Sequence, residues 1–400
     1  MSLPQRLPFP VSPSCPEAIG PGAAGLGAAE RRMSVASGHE QKPRLESHLP
    51  TGELPTVSVV IPAFNYAGYL GLAIQSVLRQ DHAHFEIIVV DDGSTDHTAE
   101  LVAGFSDPRI RYIHQENSGL SSARNTGIQS ARHDFVAFLD ADDEWLPEHL
   151  SSMLTLLTKL DPSFALLASA SERIDVAGQA LSPRRKTWLC EREIPVADIV
   201  MKTRFMPSSV LVRRAVFAEC GLFDSSLRSS EDRDMWIRIG ARHRIFLQGR
   251  ITVRIRKHST NMSKQADRMR ASMSIVIRRA YATETVPRGH YTFWLKAWAL
   301  FFFQNAWMLY DAGRRIEAVK DALLALCIWP LPFHAAKLNE PAFFRLRALA
   351  RFCGGFMLSL DWVHIIRSDT PRSPVPGTGS ESPLSVPKPS EIQRHSRKRP

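Results

Sequence analysis

From Val57 to about Leu139, short runs of apolar, mostly β-branched residues alternate with amphipathic stretches. Val57-Ser-Val-Val-Ile-Pro62, Glu86-Ile-Ile-Val-Val90, Ile110-Arg-Tyr-Ile113 and Phe135-Val-Ala-Phe-Leu139 are too short for helices. They read as strands buried on both faces. Between them, apolar positions at helical spacing predict helices over Gly68 to Arg79, from about Asp96 and from about Ser118, with another starting near Pro147. The rhythm predicts βαβ crossovers: an α/β fold with a mainly parallel, Rossmann-like sheet flanked by helices. From about 264 to 366 the pattern changes to helical stretches, including Trp294 to Tyr310 and Ile316 to Trp329. The break at Tyr310-Asp-Ala-Gly313 predicts an antiparallel pair. Polar residues interrupt each stretch before it reaches the roughly 20 apolar residues that a membrane span needs.

Both ends lack this periodicity. Residues 1–54 read as a disordered leader without the apolar segment of a signal peptide, and Met33 offers an alternative start. Residues 367–400 read as a disordered, basic, Pro- and Ser-rich tail. The expected order is thus leader, a catalytic domain over 55–263, a helical region over 264–366, and tail. The formal net charge of +10 favours anionic partners. No aromatic-and-basic nucleic-acid module stands out, so nucleic acid is not expected. The five cysteines (Cys15, Cys190, Cys220, Cys327, Cys353) are scattered and do not suggest a disulfide framework or zinc site. Free thiols in a reducing cytosol are the expectation. Phe343 to Trp362 mixes Arg345, Arg347 and Arg351 with aromatic and aliphatic residues. Such a helix could lie on an anionic membrane surface, although packing on its own domain is the commoner explanation.

Three acidic motifs carry candidate chemistry. Asp91-Asp92-Gly93-Ser94-Thr95-Asp96 follows a strand, at the edge where open α/β sheets bind ligands. Its aspartates can accept hydrogen bonds from a ribose or base, or simply cap the next helix along with Ser94. The loop after the first strand, Pro62 to Ala67, lacks the glycine pattern of a dinucleotide-binding dehydrogenase. Asp140-Ala141-Asp142-Asp143 also follows a strand. With Glu144, four carboxylates fall within five positions and repel one another unless a cation intervenes. Hard oxygen ligands suit Mg²⁺ or Mn²⁺; a solvated acidic turn is the plain alternative. In Ser229-Ser230-Glu231-Asp232-Arg233-Asp234, a serine would cap a helix and place Glu231 and Asp232 in its first turn. A general base there is one reading and ordinary helix chemistry the other.

Taken in order, five segments resemble the family 2 glycosyltransferases, which have the glycosyltransferase-A fold. They are Val57 to Asn65, Ile88 to Asp96, Asn117-Ser-Gly-Leu-Ser-Ser-Ala-Arg-Asn-Thr-Gly127, Phe138 to Asp143, and Glu231 to Trp236. The resemblance implies an inverting, single-displacement transfer from a nucleoside-diphosphate sugar, dependent on Mn²⁺ or Mg²⁺. It implies that Pro62, Ala63, Asn65, Asp91 and Asp92 bind the nucleoside. Arg124 would lie near the diphosphate, supported by Asn125. Asp140 would reach the ribose or the metal, Asp142 would be the principal metal ligand, and Asp232 the catalytic base. Arg254 to Ser263 is similar to a basic segment of this family, in which His258, with Arg256 nearby, would bind metal or diphosphate; a core or surface histidine is the alternative. Arg233 stands where relatives often have an aromatic or aliphatic residue, which bears on acceptor preference. The acceptor is expected between the two regions, around Trp188 to Phe205 and the Arg233 helix. The expected function is a hexosyltransferase-like enzyme of surface glycan or polysaccharide biosynthesis, acting on a glycan or lipid-linked acceptor. Its expected location is cytoplasmic, with peripheral contact through the C-terminal helices at the inner face of the membrane. The alternative is a catalytically decayed nucleotide-sugar-binding or helical interaction protein.

Overall fold

The computed structural model describes residues 55–181, 191–203, 205–258, 265–333 and 343–353. The leader, the tail, Trp188, the end of the basic segment after His258, and the second half of the Phe343 to Trp362 stretch lie outside the described residues. The first four strands form where the apolar runs predict them. They are β1 (Val57–Ala63), β2 (Phe85–Asp91), β3 (Ile110–His114) and β4 (Phe135–Phe138). The connecting helices are α1 (Ala67–Leu78), α2 (Thr98–Ala103) and α3 (Leu120–Ser130). β1 lies between β2 and β4 with all three parallel, and β3 extends the sheet beyond β2. Successive β1 residues feed opposite faces: Val57, Val59 and Ile61 enter one core, Val60 the other. Burying each such side chain contributes roughly 1.5–3 kcal/mol relative to exposure.

The chain then adds β5 (Glu144–Trp145), α4 (His149–Leu157), β6 (Phe164–Ile174), β7 (Arg192–Glu193) and α5 (Val196–Met201). β8 (Val210–Arg213), α6 (Val216–Cys220), α7 (Glu231–Arg242) and β9 (Arg244–Arg256) complete the sheet domain. The order across the sheet is β3-β2-β1-β4-β8-β6-β9-β5, with β7 also paired to β9. The parallel expectation holds for β3-β2-β1-β4 and for β6 beside β9, whereas β8 runs against both of its neighbours. The sheet is therefore mixed. Short β5 pairs antiparallel with β9, Glu144 opposite Arg254, and this brings the acidic turn before β5 against the end of β9.

Beyond this lie α8 (Ala266–Ala282), α9 (Tyr291–Asp311), α10 (Arg315–Ile328) and α11 (Phe344–Phe352). A three-residue turn with Gly313 at φ 79° joins α9 to α10, and the two pack along one another as the predicted pair. Ala318, Ala322 and Ala325 of α10 meet Phe303, Ala306 and Leu309 of α9. Among the described residues no helix is long and apolar enough to cross a membrane.

Candidate active site

The turns after β1 and β2 are stitched together. Asn65 adopts φ 57°; its Oδ1 accepts the Thr95 N–H at 2.8 Å and its own N–H donates to Ser94 Oγ at 2.9 Å. Asp96 accepts the Ala67 N–H at 3.0 Å and, with its other oxygen, the Thr98 N–H at 3.1 Å, so one carboxylate joins the starts of α1 and α2. Asp91 is buried and accepts the Ser94 N–H at 2.8 Å and the Tyr112 hydroxyl at 2.5 Å. Burial pushes its pKa up, but these donors outweigh it and the carboxyl stays below its ordinary value. Asp92 accepts the N–H groups of Ser118 at 3.0 Å and Gly119 at 2.8 Å, and the Gln115 amide at 2.6 Å. Both expected nucleoside-binding aspartates thus have loop-holding bonds inside the protein. Pro62 and Ala63 are buried at the end of β1, while Phe64 and Asn65 are exposed.

The acidic turn divides its carboxylates between two environments. Asp143 points inward, accepting the Ser208 hydroxyl at 2.5 Å and the Arg256 N–H at 3.0 Å. Burial, together with the charges of Asp142 and Asp140, raises its pKa well above the ordinary range. Glu144 pairs with the buried guanidinium of Arg256. Asp140 and Asp142 keep part of their side chains at the surface, 27% and 15% exposed. Asp142 Oδ2 lies 2.8 Å from His258 Nε2, and the Asp142 carbonyl accepts Arg256 Nε–H at 3.0 Å. The His258 ring stacks 5.8 Å from that of Tyr69. The repulsion expected of four adjacent carboxylates is thus met partly by arginine, a serine hydroxyl and a histidine.

Among the described residues no cluster of three or more His, Cys, Asp or Glu is spaced to hold a metal ion. The Asp142–His258 pair still fits one. Two ligands at right angles on Mg²⁺, each about 2.1 Å away, lie about 3.0 Å apart, close to the observed separation. Such ions commonly take one or two carboxylates and complete their shell with water and phosphate oxygens.

Arg124 joins this turn to α7. Its buried guanidinium donates from Nη2 to Asp140 and from Nη1 to Glu231, both at 2.7 Å. It lies on α3, whose start is held by Asp92 and whose Gly127 packs against β1. A Cβ on Gly127 would fall 2.2 Å from a Val60 methyl, so only glycine allows this approach. Asn125 exchanges two hydrogen bonds with the backbone of Phe223, at 2.8 and 2.9 Å. Asp232 sits in the first turn of α7, as expected, but the helix start is not built as the serines suggested. Ser230 occupies the N-cap position at φ 56° without a side-chain cap, and the Ser229 hydroxyl donates to the Arg268 carbonyl at 3.1 Å. Burial, then the neighbouring Glu231 charge, push the Asp232 carboxyl up to about 6, against the pull of Arg124. Arg233 turns away into the interior, donating Nε–H to the Ile199 carbonyl at 3.0 Å and Nη2–H to that of Val200. Phe205, at the end of the expected acceptor region, is buried against Trp236.

The sequence profile described as "Glycosyl transferase family 2" matches residues 58–220, which include the Asp91 and Asp140 turns and Arg124. This segment belongs to glycosyl transferase family 2. An uncharacterized glycosyltransferase of Rickettsia felis is 32% identical to this chain over 216 residues, 53% of this chain and 36% of its own length. The putative colanic acid biosynthesis glycosyl transferase WcaA of Escherichia coli is 32% identical over 188 residues, 46% of this chain and 66% of its own. The chain thus spans about a third of the Rickettsia felis relative. Among solved structures, the mannosyltransferase PcManGT of Pyrobaculum calidifontis, in complex with GDP-Man and Mn²⁺, has a TM-score of 0.50 at 18% identity. The likeness covers 78% of this chain and 88% of that one, and shows the glycosyltransferase-A fold.

Three features of the candidate site were not read from sequence. Ser208, fully buried, accepts the Asp140 N–H at 3.1 Å as well as donating to Asp143, and so shapes the acidic turn from 65 residues away. Glu231 is the partner of Arg124, where the sequence offered only a first-turn acid. Tyr69 flanks His258. No local signal marks any of the three, because each acts through a partner distant in the chain.

Proposed function

We propose that this protein transfers a sugar, with inversion, from a nucleoside-diphosphate sugar to an acceptor hydroxyl in surface glycan or polysaccharide biosynthesis. The observation that carries the reading is the continuous chain Asp142–turn–Asp140–Arg124–Glu231–Asp232, which joins a metal-competent pair to a carboxylate whose pKa lies near neutrality. Catalytic bases work best with a pKa near the operating pH. In this reading Asp232 takes the proton of the acceptor hydroxyl as its oxygen attacks the anomeric carbon opposite the departing diphosphate. Asp142 and His258, with Asp140 alongside, would hold Mn²⁺ or Mg²⁺, which when bound supplies positive charge to the leaving diphosphate. Arg124 pulls against the burial that raises the Asp140 pKa, and its bond to Glu231 fixes α7 relative to the donor end of the site. The loop of Pro62, Ala63 and Asn65, held to the Asp91 and Asp92 turn, forms the nucleoside side. The acceptor in this reading is a glycan or lipid-linked sugar, and the enzyme is cytoplasmic and peripheral at the inner face of a membrane. The family, the WcaA likeness and the basic C-terminal helices support that assignment.

The test is calorimetric titration of UDP- and GDP-sugars, GDP-mannose among them, with Mn²⁺ and then with chelator, in the wild type and Asp142→Ala. One donor should bind in a metal-dependent way and lose binding in the variant. Asp232→Asn should keep donor binding and lose transfer. If no donor binds under either condition, the proposal is wrong, and the acidic motifs are turns and helix caps.

A further inference from the structure

Helix α10 is packed inside out by size. Its buried face is Ala318, Asp321, Ala322 and Ala325, whereas the bulkier Ile316, Leu323 and Leu324 face outward. Ile316 is 75% exposed, Leu323 46% and Leu324 44%, with Leu331 60% exposed just past the helix end. Ile316, Lys320, Leu323, Leu324 and Cys327 recur at spacings of three and four, so they form one continuous stripe. Scattered exposed leucines need no explanation, but a contiguous apolar ridge on a helix with small residues inside does. Arg345 of α11 donates to the carbonyls of Trp329 and Leu331, tying the start of α11, with its exposed Phe343 and Leu346, to the chain just past α10. The charge within the stripe itself is the cationic Lys320. Arg315, next to Ile316, and Arg347 on α11 are exposed as well, while Glu317 at the edge of the stripe is paired with Arg314.

We propose that this face of α10 and α11 docks on an anionic lipid surface, with Leu323, Leu324 and Ile316 entering the headgroup boundary and Lys320, Arg315 and Arg347 meeting the phosphates. The proposal rests on the reading of the protein as peripheral to a membrane, and deepens it by naming the face and the lipid charge. Long basic side chains among aliphatic ones suit an interface, since their stems lie on apolar surface while their heads reach phosphate. A second protein chain would be served as well by the apolar residues but gives no reason for Lys320 within the stripe and the net cationic charge around it.

The test uses the full chain, with vesicles of phosphatidylcholine alone and of phosphatidylcholine with phosphatidylglycerol, followed by co-sedimentation. Binding should require the anionic lipid and weaken with salt. Lys320→Glu should reduce it at least about fivefold, the scale expected per basic residue near such a surface. Leu323→Ser with Leu324→Ser should reduce it further, without changing donor binding. Cys327 is an exposed thiol on the same stripe and reports occupancy directly. It should react with a maleimide in solution, by peptide mapping, and be protected on anionic vesicles. Equal binding to both vesicle types, or no effect of the leucine changes, overturns the proposal. So does a Cys327 already protected in solution, which would mean that another part of the chain or a second copy covers the face. Donor titration is read separately, so a failed transferase assignment and a failed docking face are distinguishable.

Discussion

Lowering the pH from 7 to 5 should slow sugar transfer by titrating Asp232. Burial is the main reason its carboxyl is pushed up to about 6, and the Glu231 charge beside it adds to this. Asp140 pushes the same way, while Arg124 and the Arg233 N–H at 2.7 Å pull against it. With a pKa near 6 the base is about nine-tenths ionised at pH 7 and about one-tenth at pH 5, so the rate should fall about tenfold. The sign follows from the role: only the ionised form can accept a proton, so activity rises as pH passes upward through 6. Glu231→Gln removes a negative neighbour and leaves the Arg124 cation in place, and both changes favour ionised Asp232. The acid limb should then move to lower pH, with the amide oxygen still able to accept from Arg124. The assay is the initial rate of acceptor glycosylation at saturating donor from pH 4.5 to 8. Donor affinity is measured by calorimetry over the same range, because Asp140 and Asp143 also have raised pKa values. A flat profile, or an acid limb that Glu231→Gln leaves in place, would refute the reasoning. A tenfold loss of donor binding over the same interval would assign the limb to the acidic turn instead.

Two further substitutions test the scaffold under the site. Gly127→Ala forces a methyl to within 2.2 Å of Val60 and should cost about 1–3 kcal/mol in urea unfolding, with Val60→Ala restoring part of the loss. Because α3 carries Arg124, transfer should fall by more than the unfolded fraction accounts for. Ser208→Ala leaves the buried Asp143 oxygen and the Asp140 N–H without this hydroxyl. The expected loss is about 1–3 kcal/mol, seen as a lower urea midpoint, together with weaker metal-dependent donor binding.

The alternation of β-branched runs and amphipathic stretches was enough to place β1 to β4 and the three helices between them. Strands buried on both faces need continuous apolar runs, and local patterning records that need. The same holds for the α9–α10 pair, whose turn is punctuated by a glycine. The acidic motifs were equally visible, since Asp91, Asp140 and Asp232 lie at strand ends or in a helix's first turn. What the pattern could not show is which side chains face each other. β5 has two residues, too few for periodicity to register, yet its pairing with β9 brings the acidic turn to the end of β9, where His258 meets Asp142, while Ser208, just before β8, bonds the Asp140 N–H. Arg124 and Glu231 are 107 positions apart and meet only because the fold brings α3 and the start of α7 together. The stripe on α10 makes the same point in reverse. By hydrophobicity alone Leu323 and Leu324 belong in a core, and only the packing of α9 against the smaller alanines decides that they face outward. Local sequence determines the elements because backbone geometry and burial act at short range, while the site depends on long-range contacts that only the folded chain brings together.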